Sequence, residues 1–288
     1  MTEQRRSSEP VSGKWSHRTT YHSRVLTSGE LKVEVRGGVC WLRLNRPDRR
    51  NAWSAACGSA MTDALLRAKA DPEVRCVVVT GEGDAFCAGV DLRDGFERTP
   101  AGGPDLHGMH RRHFVPTILG LRTLPLPVIT AVNGPAVGFG ASLAMAGDFL
   151  VLAESAFLRL AFVSLGLNPD SGGTHMLPAL VGRQRANEIT MLGEAVTAVQ
   201  AVDWGIAYRA VPDGELEATA GELAARLAAG PSRAYAAIKR AFNAGERPGL
   251  AEQLELEGEL VQSLADTEDF SEGVTAFLER RPARFGGR

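Results

Sequence analysis

The 288 residues, 44% of them hydrophobic, are enough to bury a full core in one or two domains. A net charge of −2 offers no basic field to a phosphate backbone, and no apolar stretch reaches the ~18 residues that cross a bilayer, so neither nucleic acid nor a membrane is expected as a partner. Cys40, Cys57, Cys76 and Cys87 show neither CxxC spacing nor a His/Cys cluster, which reads as reduced thiols in a cytoplasmic protein.

Residues 1–28 are polar and irregular, with Arg5, Arg6, Ser7, Ser8, Pro10 and Gly13. Arg and Ser without acids after Glu9 would suit a transit peptide, but Pro10 and Gly13 interrupt any amphipathic helix, so a disordered extension is expected. Leu31–Arg36 and Val39–Leu44 alternate about Gly37-Gly38, the signal of a hairpin. Asn51 can cap a helix running to about Ala70, stopped by Asp71-Pro72. A buried strand is expected at Val74–Thr80, a helix at His107–Leu121, a strand at Val128–Val132, a helix at Phe139–Ala146 and a strand at Phe149–Ala153. Strands alternating with helices predict parallel β/α units with right-handed crossovers, an α/β class. After about Arg183 the pattern turns helical, with Glu215–Ala229, Ser232–Ala244, Leu250–Leu264 and Phe270–Arg281 as amphipathic segments. The expected division is an extension at 1–28, a core at 29–212 and a helical region at 213–288.

Two turns carry the functional signal. Pro127–Val132 runs into Asn133-Gly134 and then Pro135-Ala-Val-Gly-Phe-Gly-Ala-Ser142, a strand entering a glycine turn and an apolar helix. The first N–H groups of such a helix have no internal partner and hold negative charge well. Gly83-Asp-Ala-Phe-Cys-Ala-Gly-Val-Asp-Leu92 follows the other apolar run. Two strand-ending turns, each with a free backbone donor, are what a two-donor oxyanion hole requires.

At these residues the chain resembles the crotonase family, the enoyl-CoA hydratase/isomerase superfamily. The likeness runs through Asn45-Arg-Pro-Asp-Arg-Arg-Asn-Ala52, Phe86–Leu92, Asn133–Asp148, Pro169-Asp-Ser-Gly-Gly-Thr174 and Gly273–Arg280, in the family's order. The resemblance implies a crotonase (ClpP/crotonase-like) spiral of ββα units and a C-terminal helical region used in trimerisation, the assembly being a homotrimer or a dimer of trimers. It implies an acyl-CoA thioester substrate, with coenzyme A entering as part of the substrate and no other cofactor or metal. Carried over residue by residue, the two oxyanion donors are the backbone N–H groups of Val90 and Phe139, with Ala88, Asp91, Leu92 and Gly138 beside them. Arg49 and Arg50 stand where relatives bring a basic residue to the nucleotide. Arg280 matches a basic position, and Phe277 an apolar wall, that reach CoA from a neighbouring subunit.

The family's hydratases need two glutamates, and their positions here fall on Ser142 and Phe162. Neither side chain can do carboxylate acid–base work. One carboxylate stands at a family active-site position, Asp170, where the resemblance implies isomerase or related chemistry. Phe162, Val163, Leu165 and Leu167 would surround it with apolar groups and raise its pKa. Against this, Asp170 could simply cap the helix that follows.

The expected function is acyl-CoA isomerisation through a thioester enolate, with Asp170 as proton carrier. The alternatives are an enoyl-CoA hydratase of fatty-acid β-oxidation and an acyl-CoA-binding protein that has lost catalysis. Dinucleotide binding fails because Leu143 stands where a third small residue is needed. A serine hydrolase fails because Ser142 would lie inside the helix, with no histidine assigned to it. The resemblance implies that the cluster His107, His110, Arg111, Arg112 and His113 borders the acyl pocket, and no carboxylate or cysteine accompanies it at metal-ligand spacing.

Overall fold

In the computed structural model, which describes residues 24–95, 97–245 and 249–288, the first feature is an antiparallel meander. Strand β1 (Arg24–Ser28) pairs with β2 (Leu31–Arg36), and β2 with β3 (Val39–Leu44) across the glycine pair. The first 23 residues of the expected extension lie outside the described residues. Its last five are corrected, because Arg24–Ser28 form the edge strand of the main sheet.

Helix α1 (Ala55–Ala70) then leads to β4 (Cys76–Gly81). Its cap is Ser54, not Asn51. The Ser54 hydroxyl accepts the Cys57 N–H at 3.0 Å, while Asn51, at φ 54°, turns its side chain inward. The helix expected over His107–Leu121 is interrupted. It divides into α2 (Leu106–Met109), a wide π turn over His110–Phe114, and α3 (Val115–Thr123). Pro116, which has no N–H to give the ladder, sits in the first turn of α3 and accounts for the break.

Strand β5 (Val128–Val132), the short β6 (Ala136–Val137), helix α4 (Phe139–Met145), β7 (Phe149–Ala153) and β8 (Phe157–Arg159) follow. Next come α5 (Gly173–Asn187), β9 (Val196–Thr197), α6 (Ala198–Asp203), β10 (Arg209–Val211) and α7 (Leu216–Ala228). The chain closes with α8 (Ser232–Gly245), α9 (Leu250–Ala265) and α10 (Glu268–Glu279).

The large sheet has the order β1-β2-β3-β4-β5-β7-β10, and every pairing from β3 onward is parallel. β4 and β5 are buried along their whole length, as central parallel strands covered on both faces should be. A second sheet, β6-β8-β9, is built from two- and three-residue strands. Helix α7, assigned from sequence to a separate helical region, packs against β3, β4, β5 and β7, so the core extends past residue 213. Lys239 ties α8 to the sheet: it is buried and pairs at 2.7 Å with Asp148, which also accepts the Val128 N–H. All four cysteines are buried free thiols, and burial lifts those of Cys40, Cys76 and Cys87 to about 12. No helix among the described residues is long and apolar enough to cross a membrane.

Candidate active site

β4 and β5 are neighbours, so the loops leaving their ends run side by side. Farther on, Cys87 and Ala136 pair in parallel: the Cys87 N–H donates to Pro135 O at 3.2 Å, and the Val137 N–H to Cys87 O at 2.9 Å. Two asparagines hold the first loop. Asn51 Nδ2 donates to Glu82 O (2.9 Å) and Ala85 O (2.7 Å), and its Oδ1 accepts the Arg46 N–H at 2.8 Å. Asn133 Oδ1 accepts the Gly81 N–H at 3.0 Å, and its Nδ2 donates to Gly83 O at 2.9 Å.

Asn51 is buried, so Asn51→Ala should strand the Glu82 carbonyl and the Arg46 N–H, while Ala85 O keeps the Asn133 Nδ2 donor at 3.2 Å. A loss of about 2–4 kcal/mol is expected from three bonds of ordinary worth plus the unsatisfied carbonyl and N–H, read as a lower urea midpoint.

The donors expected from sequence fall where this frame puts them. Trp53 donates its N–H to Gly89 O (2.7 Å) and accepts the Asp91 N–H (3.0 Å), so the Val90 N–H between them faces away from Trp53. Among the described residues it has no hydrogen-bond partner. Phe139 opens α4 after Gly138, which turns the chain at φ 54°, ψ −118°, and its N–H is likewise unpaired among the described residues. A Cβ placed on Gly89 would lie 3.9 Å from Phe139 N, so the peptide carrying the Val90 N–H rests against the start of α4. The Phe139 ring fixes that start from below, with centroids 4.6 Å from Trp53 and 5.0 Å from Phe114.

Asp170 lies in the turn before α5. It is half-buried, and its Oδ1 is shielded from solvent with no hydrogen-bond partner among the described residues. Burial pushes its carboxyl above the usual range. It does not cap the helix: the N-cap of α5 is Gly172, with no side-chain bond. The apolar surround expected from the loop before it is mostly absent. Phe162 is buried, but Val163, Leu165 and Leu167 are 42%, 60% and 43% exposed. The turn is instead held by α4 and by the π turn.

Ser142 is fully buried in α4, and its hydroxyl donates to Asp170 O at 3.1 Å. A serine so placed fastens the Asp170 turn, which also removes it as a hydrolase nucleophile. Asp91, expected beside the substrate, is buried and committed to the protein. Its carboxylate meets Arg46 at 2.9 Å and Arg49 at 3.7 Å and accepts the Arg93 N–H at 3.1 Å. Burial pushes its pKa up, but these partners outweigh that and hold it below the usual value. Arg49 is thus turned toward Asp91, whereas Arg50 is exposed and its carbonyl accepts the Ala88 N–H at 3.0 Å, keeping it beside the donor turn. Leu92 is 52% exposed at the rim. Phe277 is 82% exposed, and Arg280 is exposed with no ion pair among the described residues.

Sequence reasoning missed three contributors: Asn51 as a loop clamp, Arg46 as the partner of Asp91, and His110. His110 Nε2 accepts the Ser171 N–H at 3.3 Å. Its only trace in the sequence was membership of the His/Arg cluster.

A family model described as "Enoyl-CoA hydratase/isomerase" matches residues 34–288. The chain is 43% identical over 258 residues to a Rhodobacter capsulatus protein named "Probable enoyl-CoA hydratase", covering 90% of this chain and 98% of that one. It is 41% identical over 254 residues to the 1,2-epoxyphenylacetyl-CoA isomerase of Escherichia coli, covering 88% and 97% respectively. Among solved structures, an enoyl-CoA hydratase from Bacillus anthracis superposes with a TM-score of 0.83 at 33% identity, covering 90% of this chain and all of that one.

Proposed function

The chain belongs to the enoyl-CoA hydratase/isomerase family, and from that premise we propose that it isomerises an acyl-CoA thioester. A proton leaves the carbon next to the thioester carbonyl and is returned elsewhere on the acyl group, shifting a double bond or making a related rearrangement. The Val90 and Phe139 N–H groups hold the oxygen as it gains charge, which is where such donors contribute most. Asp170 accepts and redelivers the proton, a task suited to a carboxyl whose pKa burial has raised. Coenzyme A arrives with the substrate, its phosphates met by Arg50 at the rim, and the chemistry asks for no further cofactor.

The observation that carries this reading is the unpartnered Asp170 Oδ1, in a turn fastened to the helix whose first N–H is an oxyanion donor. Hydratase chemistry has the name of the 43% identical relative in its favour. It would have to proceed with Phe162 and a Ser142 hydroxyl already committed to Asp170 O.

Assembly as a trimer or dimer of trimers would bring Phe277 and Arg280 to a neighbour's CoA. It would also cover the exposed Leu254, Val261, Phe270 and Leu278 of α9 and α10. The test of the function is a panel of 2-enoyl-, 3-enoyl- and aromatic-epoxide CoA thioesters with the matching free acids. Isomerised thioester with inert free acids supports the reading. Tight thioester binding with no turnover on any member would favour a binding protein.

A further inference from the structure

The Asp170 carbonyl and the Ser171 N–H belong to one peptide unit, and that unit is fastened at both ends. Its oxygen accepts from Ser142 Oγ (3.1 Å) and from the Gly173 N–H (2.8 Å); its N–H donates to His110 Nε2 (3.3 Å). Ser171 is 4% exposed and stands at φ 51°, a left-handed conformation that costs a non-glycine residue free energy and persists only where its surroundings impose it. Rotation of this peptide would take Ser171 out of that conformation and re-aim the Asp170 side chain. His110 comes from the π turn, a distortion that often marks functional sites, and its place there lets the ring reach across to α5's leading turn.

We infer that His110 is a positioning residue for Asp170: its unprotonated Nε2, with the ring proton on Nδ1, holds the Asp170–Ser171 peptide in the orientation that aims the carboxylate. This rests on the reading of Asp170 as proton carrier, but two of its readouts do not depend on turnover. A neutral imidazole can accept at one nitrogen only, so the bond fixes the tautomer.

The test begins with ¹⁵N NMR of the His110 ring in the full-length protein at a pH where the ring is neutral. A bare Nε2 is expected; a proton on Nε2 overturns the inference without any variant. Amide exchange at Ser171 comes second. His110→Leu should exchange there about 3- to 10-fold faster, and His110→Gln, which keeps an acceptor at similar reach, should stay near wild type. Third, kcat should fall by about the same 3- to 10-fold in His110→Leu with KM little changed, and recover in His110→Gln. Unchanged Ser171 exchange in His110→Leu, or a glutamine variant as impaired as the leucine one, would overturn the inference. If His110→Leu does not fold, the wild-type tautomer and the glutamine variant decide. A wild-type rate in Asp170→Asn would instead sink the isomerase reading, leaving the tautomer and exchange results standing.

Discussion

Asp170→Asn should lower turnover by roughly 10²–10⁴-fold, the usual worth of a general acid–base group, while ligand affinity stays within a few-fold. The amide keeps the size of the side chain and a hydrogen-bonding oxygen but cannot take a proton. Stability should move the other way. The folded protein holds this carboxyl above its ordinary pKa, chiefly through burial, so the native state disfavours the ionised form. The stabilising contribution of such a group is fully present below the unfolded pKa, ~3.9 for Asp, and is lost as pH rises through the higher folded value. At neutral pH the asparagine variant should therefore melt above wild type, and the gap should close as the pH falls. A variant that melts lower and keeps its rate would make Asp170 a turn residue only.

Gly89→Ala should have the second large effect. Gly89 stands at φ 92°, and a Cβ there would sit 2.9 Å from Val137 O and 3.9 Å from Phe139 N, between the two donor turns. Relief requires the turns to part, which misaligns the Val90 or the Phe139 N–H. Losing one such donor costs about 10²- to 10³-fold in kcat, and the overpacking should cost about 1–3 kcal/mol of stability. Gly95→Ala is the control, because Gly95 also has positive φ (73°) but open space around its Cβ direction. If both alanines reduce kcat equally, backbone strain and not donor spacing is responsible.

The main sheet was legible because apolar runs such as Val128–Val132 are long enough to announce buried strands, and Gly37-Gly38 announces its hairpin. The resemblance named Val90 and Phe139, and their unpaired N–H groups lie in the two glycine-bearing turns that the sequence marks. What stayed hidden depends on contacts between distant segments. β6, β8 and β9 are too short for any periodicity. Asn51 carries good capping chemistry, but burial against the carbonyls of Glu82 and Ala85 claims its side chain, and Ser54 caps instead. The approach of Arg49 to Asp91, at 3.7 Å across 42 residues of sequence, likewise has no local signal. Ser142 reads as a lost glutamate, and only the approach of the Asp170 turn to α4 shows it as a clamp. The link between His110 and Ser171 spans 61 residues with no local signal.

Isomerisation through Asp170 moves a proton between carbons and adds no water. The most direct measurement follows a 3-enoyl-CoA and a 2-enoyl-CoA thioester separately in deuterated solvent, by mass spectrometry and product analysis. Interconversion of the two is expected, with deuterium entering next to the thioester carbonyl, little 3-hydroxyacyl-CoA, and loss of both exchange and conversion in Asp170→Asn. Hydration of the 2-enoyl thioester as fast as isomerisation, and undiminished in Asp170→Asn, would contradict this mechanism.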